Sequence, residues 1–385
     1  MIVKNGKVLH VNRMENGCDV QIEDGTIRTI GPNLKVDSGE TVIEADDCYV
    51  LPGLIDIHTH GLHEVRVDSG DLVEFARLQL SHGITACVPT LAGTLREDIE
   101  VIQKGLKETD HFQRTPNLVG FRPEILYVSD ASAGSSESLA PITAENSEAL
   151  FKAGEGTIRI WDVSPELEGA IDFIRWACSK GIITSMAHSF AVVAQIRQAV
   201  DAGMRLVTHF YDLFPIPEEI DEGVYPEGVT DYINIEDRLT VEIIPDGVHV
   251  YPMLVEKSLR CKGIERVVFI TDSVPGAGRP PGIYDGLYPG WKLEVTADRG
   301  VRRVSDDLLS GSALTLEKGF FRAVNVYGRS LAQASMLCSG NAARLLGLNR
   351  KGYLASGMDA DIVILDANLE LQKVIVAGKP SEPKR

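Results

Sequence analysis

In IDIHTHG, residues 55–61, His58 and His60 flank a single threonine at the end of an apolar run. Residues i and i+2 of an extended strand point to one face, so the two imidazoles are presented together. Paired imidazoles with a carboxylate in reach form a binding set for zinc or a similar first-row divalent ion. They are also explained as polar residues closing a strand, so the reading turns on what else the chain supplies. Five further groups stand at or just past the end of a short apolar run: Glu124 in LVGFRPE, His188 in GIITSMAH, His209 in MRLVTH, His249 after the Asp246-Gly247 turn, and Asp272 in RVVFITD. Singly, each has a bland explanation. A strand-end histidine is commonly a satisfied polar group, Asp272 could cap a following helix, and Glu124 could simply leave the sheet. Seven such groups at matching positions fit coincidence poorly, and together they point to a metal site. The other four of the nine histidines, His10, His63, His82 and His111, lie away from these ends and keep the ordinary reading.

The elements that must position these residues recur along the chain. Short apolar runs at 54–58, 85–90, 118–124, 156–162, 181–188, 204–209, 239–247 and 266–272 alternate with stretches of helical periodicity, such as SGDLVEFARLQLSHG and VVAQIRQAVDAG. Eight such units make a TIM-like (β/α)8 barrel, whose active sites form at the carboxyl ends of the strands. A Pro- and acid-rich insertion near 214–236 and a hairpin-like one near 273–311 interrupt the pattern, and helical stretches at 312–327 and 330–346 follow it. Residues before and after the barrel read as short strands, with Asn5-Gly6 and Asp24-Gly25 as hairpin turns. The expected organisation is an α/β chain: a (β/α)8 barrel over 53–347 and a small β-sandwich domain built from both termini, 1–52 and 348–385.

Composition narrows the partners. The 385 residues, 44% hydrophobic and 24% charged, are those of a soluble globular protein. A net charge of −17 argues against nucleic acid and anionic membranes, which reward clustered Lys and Arg. Six scattered cysteines without a CxxC read as reduced thiols in a cytoplasmic compartment. MIVKNGKVLHV lacks the apolar core of a signal peptide, and no stretch reaches the roughly 18 apolar residues of a membrane span. A small-molecule substrate is the partner to expect.

VLPGLIDIHTHG, HGITACVPT, TSMAHS, LVTHFYD, IPDGVHV, FITDSVPGAG, LSGSALTL and GYLASGMDADIVILD follow one another as the corresponding motifs do in the amidohydrolase superfamily. Within it, the chain resembles the N-acetylglucosamine-6-phosphate deacetylase family nearly end to end. The resemblance implies one divalent metal, zinc or another first-row ion, held by Glu124, His188 and His209. It implies a second held by His58 and His60 with Glu124 shared, Asp272 as general base and acid, and His249 as the group polarising the scissile carbonyl. Asp212, Leu213, His249 and Leu309 are implied to bind substrate, and a homodimer is implied as the assembly. The implied activity is release of acetate from an N-acetyl amino sugar or its phosphate. An amide is a poor electrophile with a poor leaving group, and a divalent ion meets that difficulty as a Lewis acid that also lowers the pKa of water. A carboxylate can carry the proton from water to the departing nitrogen, and a hydrogen bond to the developing oxyanion is worth roughly 3 kcal/mol.

Three departures from the family concern the substrate. Where the family has Asn-Ala-Met after the strand-6 histidine, this chain has Asp212-Leu213-Phe214, and a carboxylate beside a phosphate repels it unless it points away. The family's arginine donated across the dimer has no counterpart, because PIPEEIDEGVYPEGVTDYI contains no Arg or Lys. Ile125-Leu126 replaces the Gly-Pro that follows the strand-3 glutamate. Arg122, Arg279 and a residue from another subunit are the candidates left to compensate. A second expectation is therefore an amidohydrolase of a different, unphosphorylated substrate: a cyclic amide, an N-acyl amino acid or a lactone. A third, a catalytically inert barrel serving assembly, sits poorly with a complete set of ligands.

Overall fold

A computed structural model describes residues 1–129, 134–217, 221–224 and 226–381. Residues 218–220 and 225 of the acid-rich insertion, 130–133 of the expected barrel and 382–385 of the C-terminal segment lie outside the described residues. The chain opens with β1 (Ile2–His10), β2 (Arg13–Glu23), β3 (Thr26–Gly31), β4 (Val42–Glu44) and β5 (Tyr49–Pro52). Asp24-Gly25, both at positive φ, turn β2 into β3 as expected. Asn5-Gly6 corrects the expectation: it is an irregularity inside β1, where the pairing with β2 shifts register, and not a hairpin turn. The Asn5 N–H is held across the ladder by Asp19 at 2.9 Å, and Gly6 leaves room for the Val50 side chain, so the strand continues to a turn at Val11.

All eight apolar runs form strands: β6 (Leu54–Thr59), β7 (Ile84–Leu91), β8 (Arg122–Pro123), β9 (Ile160–Val163), β10 (Ile183–Met186), β11 (Leu206–Val207), β12 (Thr240–Ile243) and β13 (Val267–Phe269). Every residue of β6 and β7 is buried, which is why they read as unbroken apolar runs; parallel strands are covered on both faces. The strands pair in parallel in the orders β8-β7-β6 and β9-β10-β11-β12-β13. Single bridges join the two groups at both seams, Phe121 to Ile158 and Thr59 to Ser273, so neighbour pairing runs once round all eight strands. β8 and β11 are shorter than the sequence suggests. Pro123 brings no N–H to the ladder, and a positive φ at His209 turns the chain out of extended geometry.

Helices follow the strands, among them α1 (Leu72–Ser81), α2 (Leu95–Glu108), α3 (Ala144–Ala153), α4 (Ala170–Ser179), α5 (Val193–Ala202), α6 (Val229–Ile235) and α7 (Pro252–Lys262). α1 buries Leu72, Phe75, Ala76, Leu78 and Gln79, the spacing of one helical face. Thr94 and Glu97 form a capping box that starts α2. The insertion after β13 is a three-stranded antiparallel sheet, β14 (Gly282–Asp285), β15 (Lys292–Val295) and β16 (Val301–Arg303), with its own small core of Val274, Leu287, Leu293, Val295 and Val301. α8 (Leu316–Asn325) follows it, and a helical stretch over 331–345 packs on the seam of β13 and β6.

The chain ends in β17 (Ile362–Leu365), β18 (Leu371–Val376) and β19 (Lys379–Ser381), which join the first strands in the order β19-β18-β17-β5-β1-β2-β3. Both termini thus build one β-unit. The two layers of a sandwich are here one hydrogen-bonded sheet, because β5 pairs with β17 on one side and β1 on the other. The sheet curls until the β2–β3 turn and β3 bond to residues 357–360, with Ile27 donating to Met358 and Ala360 to Gly25. Val3, Val20, Ile27, Ile362 and Ile375 fill the enclosed space. Gly53 links this unit to the ring, and a methyl group there would be driven into the Thr85 side chain. Among the described residues no helix is long and apolar enough to cross a membrane, and all six cysteines are free thiols.

Candidate metal centre and active site

At the carboxyl ends of the ring strands four imidazoles meet one carboxylate. Glu124, just past β8, places Oε2 2.9 Å from His60 Nε2 and Oε1 3.2 Å from both His188 and His209 Nε2. Its Oε1 also lies 3.4 Å from His58 Nε2. The Nε2 atoms themselves approach in pairs, His58 and His60 at 3.4 Å and His188 and His209 at 3.2 Å. Asp272 Oδ1 stands 3.3 Å from His58 and 3.4 Å from His60. The residues form two compact sets, His58 with His60 and Asp272, and Glu124 with His188 and His209. All six are buried. Lone-pair-bearing nitrogens crowded this closely around carboxylates form a donor set that fits divalent cations.

The local backbone is turned to make this possible. His188, His209 and Asp272 have φ of 43°, 26° and 48°, a region that costs non-glycine residues energy and recurs at functional sites. Each ends its strand and bends its side chain towards the common centre. Below the imidazoles lies a layer of charge. Arg122 donates from Nε and Nη2 to Asp162 at 2.7 and 2.9 Å, and from Nη1 to Glu242 at 2.6 Å. It also donates to the Ile57 carbonyl at 3.0 Å and to Thr208 at 2.8 Å. A side chain of β8 that touches β6, β9 and β12 can only cross the middle of the ring. All five N–H donors of the guanidinium are used. The second oxygen of Glu242 lies 3.2 Å from His58 Nδ1, which orients the ring and aims Nε2 at the centre. Replacing Arg122 by Met leaves two buried carboxylates without a counter-charge. The expected loss is about 3–5 kcal/mol of folding stability, read as a lowered urea midpoint.

Electrostatics follow from the crowding. Burial works against the charged forms of His58 and His60, and Arg122 opposes a charge on His58. Glu124 and Asp272 outweigh these effects and raise the two pKa values to about 9 and about 10. Burial likewise opposes the Glu124 and Asp272 carboxylates, but the imidazoles hold both below the usual carboxylate range. The carboxylates therefore favour the protonated forms of His58, His60 and His209 in the metal-free cluster, whereas a metal ligand must be a neutral imidazole. Titrating metal into stripped protein at pH 7 is expected to release protons, seen as a dependence of calorimetric heat on buffer ionisation enthalpy. The release should shrink as the pH rises through 9 to 10, and heats that ignore the buffer would contradict it.

A cavity of about 230 Å³ opens on this centre. His60, Glu124, His188, His209 and Asp272 line it, as do Asp212, Leu213 and Leu309, three residues named from the sequence for substrate binding. Leu287 and Leu308, from the insertion after β13, close its far wall. His58 lies outside the lining, beneath the imidazoles that face the cavity. His249 is also outside it, with Nδ1 2.7 Å from Asp246, whose other oxygen takes the N–H groups of Val248 and His249 at 2.9 and 3.0 Å. Burial disfavours the His249 imidazolium, but Asp246 raises its proton affinity above the ordinary value. The turn thus fixes the ring and leaves Nε2 as the free atom.

Two expectations are corrected. Arg122 cannot serve a substrate phosphate, because it is fully buried and fully committed to Asp162, Glu242, Thr208 and Ile57. Arg279 pairs with Glu64 at 2.7 Å and is not part of the cavity lining. The residues overlooked in the sequence are Arg122 in its structural role, Asp162, Glu242 and Asp56, the last bonded to Thr271 at 2.6 Å. Their signal was a charged residue within a largely apolar strand segment: LIDIH, GFRPE, IRIWD and TVEII.

Comparisons with known proteins agree with this geometry. The profile of the Amidohydrolase family matches residues 49–381. An N-acetylglucosamine-6-phosphate deacetylase of Lysinibacillus sphaericus is 28% identical over 98% of this chain and 97% of its own. An N-acetylgalactosamine-6-phosphate deacetylase of Escherichia coli O157:H7 is 30% identical over 94% and 93%. Among solved structures, the N-acetyl-D-glucosamine-6-phosphate deacetylase of Mycobacterium smegmatis superposes with a TM-score of 0.87 at 26% identity, covering 99% of each chain. With a match that spans most of the chain and a centre of four imidazoles and two carboxylates, this protein belongs to the amidohydrolase family.

Proposed function

We propose that the chain is a metal-dependent amide hydrolase, a deacetylase that releases acetate from an N-acetylated amino sugar. The observation that carries this reading is the convergence of His58, His60, Glu124, His188, His209 and Asp272 on one cavity. Glu124, His188 and His209 would hold one divalent ion, zinc or another first-row metal, and His58 and His60 with Glu124 would hold a second. Bound there, such an ion supplies Lewis-acid polarisation and makes water a nucleophile near neutral pH.

The chain's own groups do the rest. Asp272, kept ionised by the imidazoles around it, takes a proton from the attacking water and returns it to the departing nitrogen. His249, held by Asp246, donates from Nε2 to the carbonyl oxygen as negative charge develops there. Leu213 and Leu309 flank the amine portion, and Asp212 faces it. The eight strands act as a closed (β/α)8 barrel over 53–347, with the curled sheet of 1–52 and 348–385 as a second domain. Phe190, Ile216 and Tyr251 on loops that follow ring strands, and Met253 in the first turn of α7, are all largely exposed and support a homodimer formed at this rim. Six free thiols fit the reducing cytoplasm. The test is acetate release by metal-restored protein from a panel of N-acetylhexosamines and their 6-phosphates. Release from at least one is expected, and none, with metal occupancy confirmed, contradicts the reading.

A further inference from the structure

The relatives named above act on 6-phosphates, and a phosphate monoester carries close to two negative charges at neutral pH. Proteins hold such a group with Arg, Lys or a cluster of free N–H groups. No Lys or Arg lines the cavity among the described residues. Basic side chains around its walls are committed elsewhere. Arg66 donates to the Leu287 carbonyl at 2.9 Å, Arg279 pairs with Glu64, and Arg302 and Arg303 are tied to Asp307 and Asp306.

Asp212 instead brings an acidic residue to the cavity lining. Its N–H is bonded to the His209 carbonyl at 2.9 Å, in a segment that holds His209, Tyr211 and Leu213 at positive φ. The residue lines the cavity, and its carboxylate makes no hydrogen bond or ion pair with the described residues and lies within electrostatic reach of His209 and His249. The remaining wall away from the imidazoles is largely apolar, with Leu213, Val274, Leu287 and Leu309. An acceptor-only group in such a cavity selects hydrogen-bond donors and rejects anions.

Resting on the amide-hydrolase reading above, we propose that the amine portion of the substrate carries no phosphate. It is an uncharged or cationic N-acetylated amine whose hydroxyl or ammonium hydrogens bond to Asp212. The two donor types share this chemistry, and the test separates them. The holoenzyme is assayed with N-acetylglucosamine, N-acetylgalactosamine, their 6-phosphates and a mono-N-acetylated diamine. At least one unphosphorylated compound is expected to exceed the 6-phosphates in kcat/KM by about tenfold or more, the least that one opposing carboxylate imposes on a dianion. The better of sugar and diamine names the donor. Asp212→Asn, nearly isosteric, is expected to narrow that ratio by about tenfold, mainly through KM. A 6-phosphate preferred over its parent sugar overturns this inference and leaves the deacetylase reading standing, as does a ratio that Asp212→Asn leaves unchanged. Turnover of none of the compounds by metal-loaded protein overturns both.

Discussion

Exchanging Glu124 for Gln is expected to abolish both metal loading and turnover. Both carboxylate oxygens are engaged: one faces His58, His188 and His209, the other faces His60. An amide supplies one neutral oxygen and an NH2 that cannot accept, so one of the two sets also loses its oxygen whichever way the group turns. Removing the shared anion also leaves four imidazoles with only Asp272 to offset a bound divalent charge. The rate should fall on the order of 10³-fold or more, the factor that several kcal/mol of lost electrostatic stabilisation corresponds to. Metal content per subunit, measured by elemental analysis, should fall with it. A variant that keeps its metal and its rate would remove Glu124 from the centre.

The second large effect is expected at Asp272, and it should look different. Asp272→Asn keeps the shape of the side chain and removes the group that moves the proton. Turnover is expected to drop by about 10²–10⁴-fold, the range for a lost general acid–base group, with KM little changed. The metal held by Glu124, His188 and His209 should remain. Since Asp272 also stands within 3.4 Å of His58 and His60, metal content is the discriminating measurement. Loss of one ion from the variant would make Asp272 a ligand first and a proton carrier second. The two variants therefore separate holding the metal from using it, which activity alone would not do.

Much of this arrangement was legible in the residues. Parallel strands are buried on both faces, so the eight ring strands stand out as apolar runs, and their last residues mark the end where the site forms. The i, i+2 spacing of His58 and His60 carried their shared direction with it. The same parity was available for the layer below: Arg122 shares a strand face with Glu124, and Asp56 with His58, one step deeper into the ring. From the sequence Arg122 is a candidate for the substrate, because the sequence alone does not say that Asp162 and Glu242, from strands far apart in the chain, meet it in the middle. Glu242 was overlooked for the same reason; its partner His58 lies 184 residues away.

Other features depend on long-range pairing or on strain, neither of which is written locally. Asn5-Gly6 has the composition of a hairpin turn, yet Asp19 and Val50 hold it as an irregularity within β1. The terminal strands read correctly as β, but their union into one curled sheet is set by β5 lying between β1 and β17. The positive φ values at His188, His209 and Asp272 shorten the ladders and aim the ligands, and nothing in TSMAHS, LVTHFYD or FITDS announces them. By contrast, Asp212, singled out from the sequence, lines the cavity, and no Lys or Arg does so among the described residues.

The most direct test of the account is acetate release by one preparation of the protein in two states. Stripped with a chelator, it should release no acetate from an N-acetylated amino sugar above the uncatalysed rate. After addition of zinc or another first-row divalent ion, release should return, with metal content rising in step. Equal rates in the stripped and restored states would contradict the account, because the six residues at its centre would then be working without the ion they are arranged to hold.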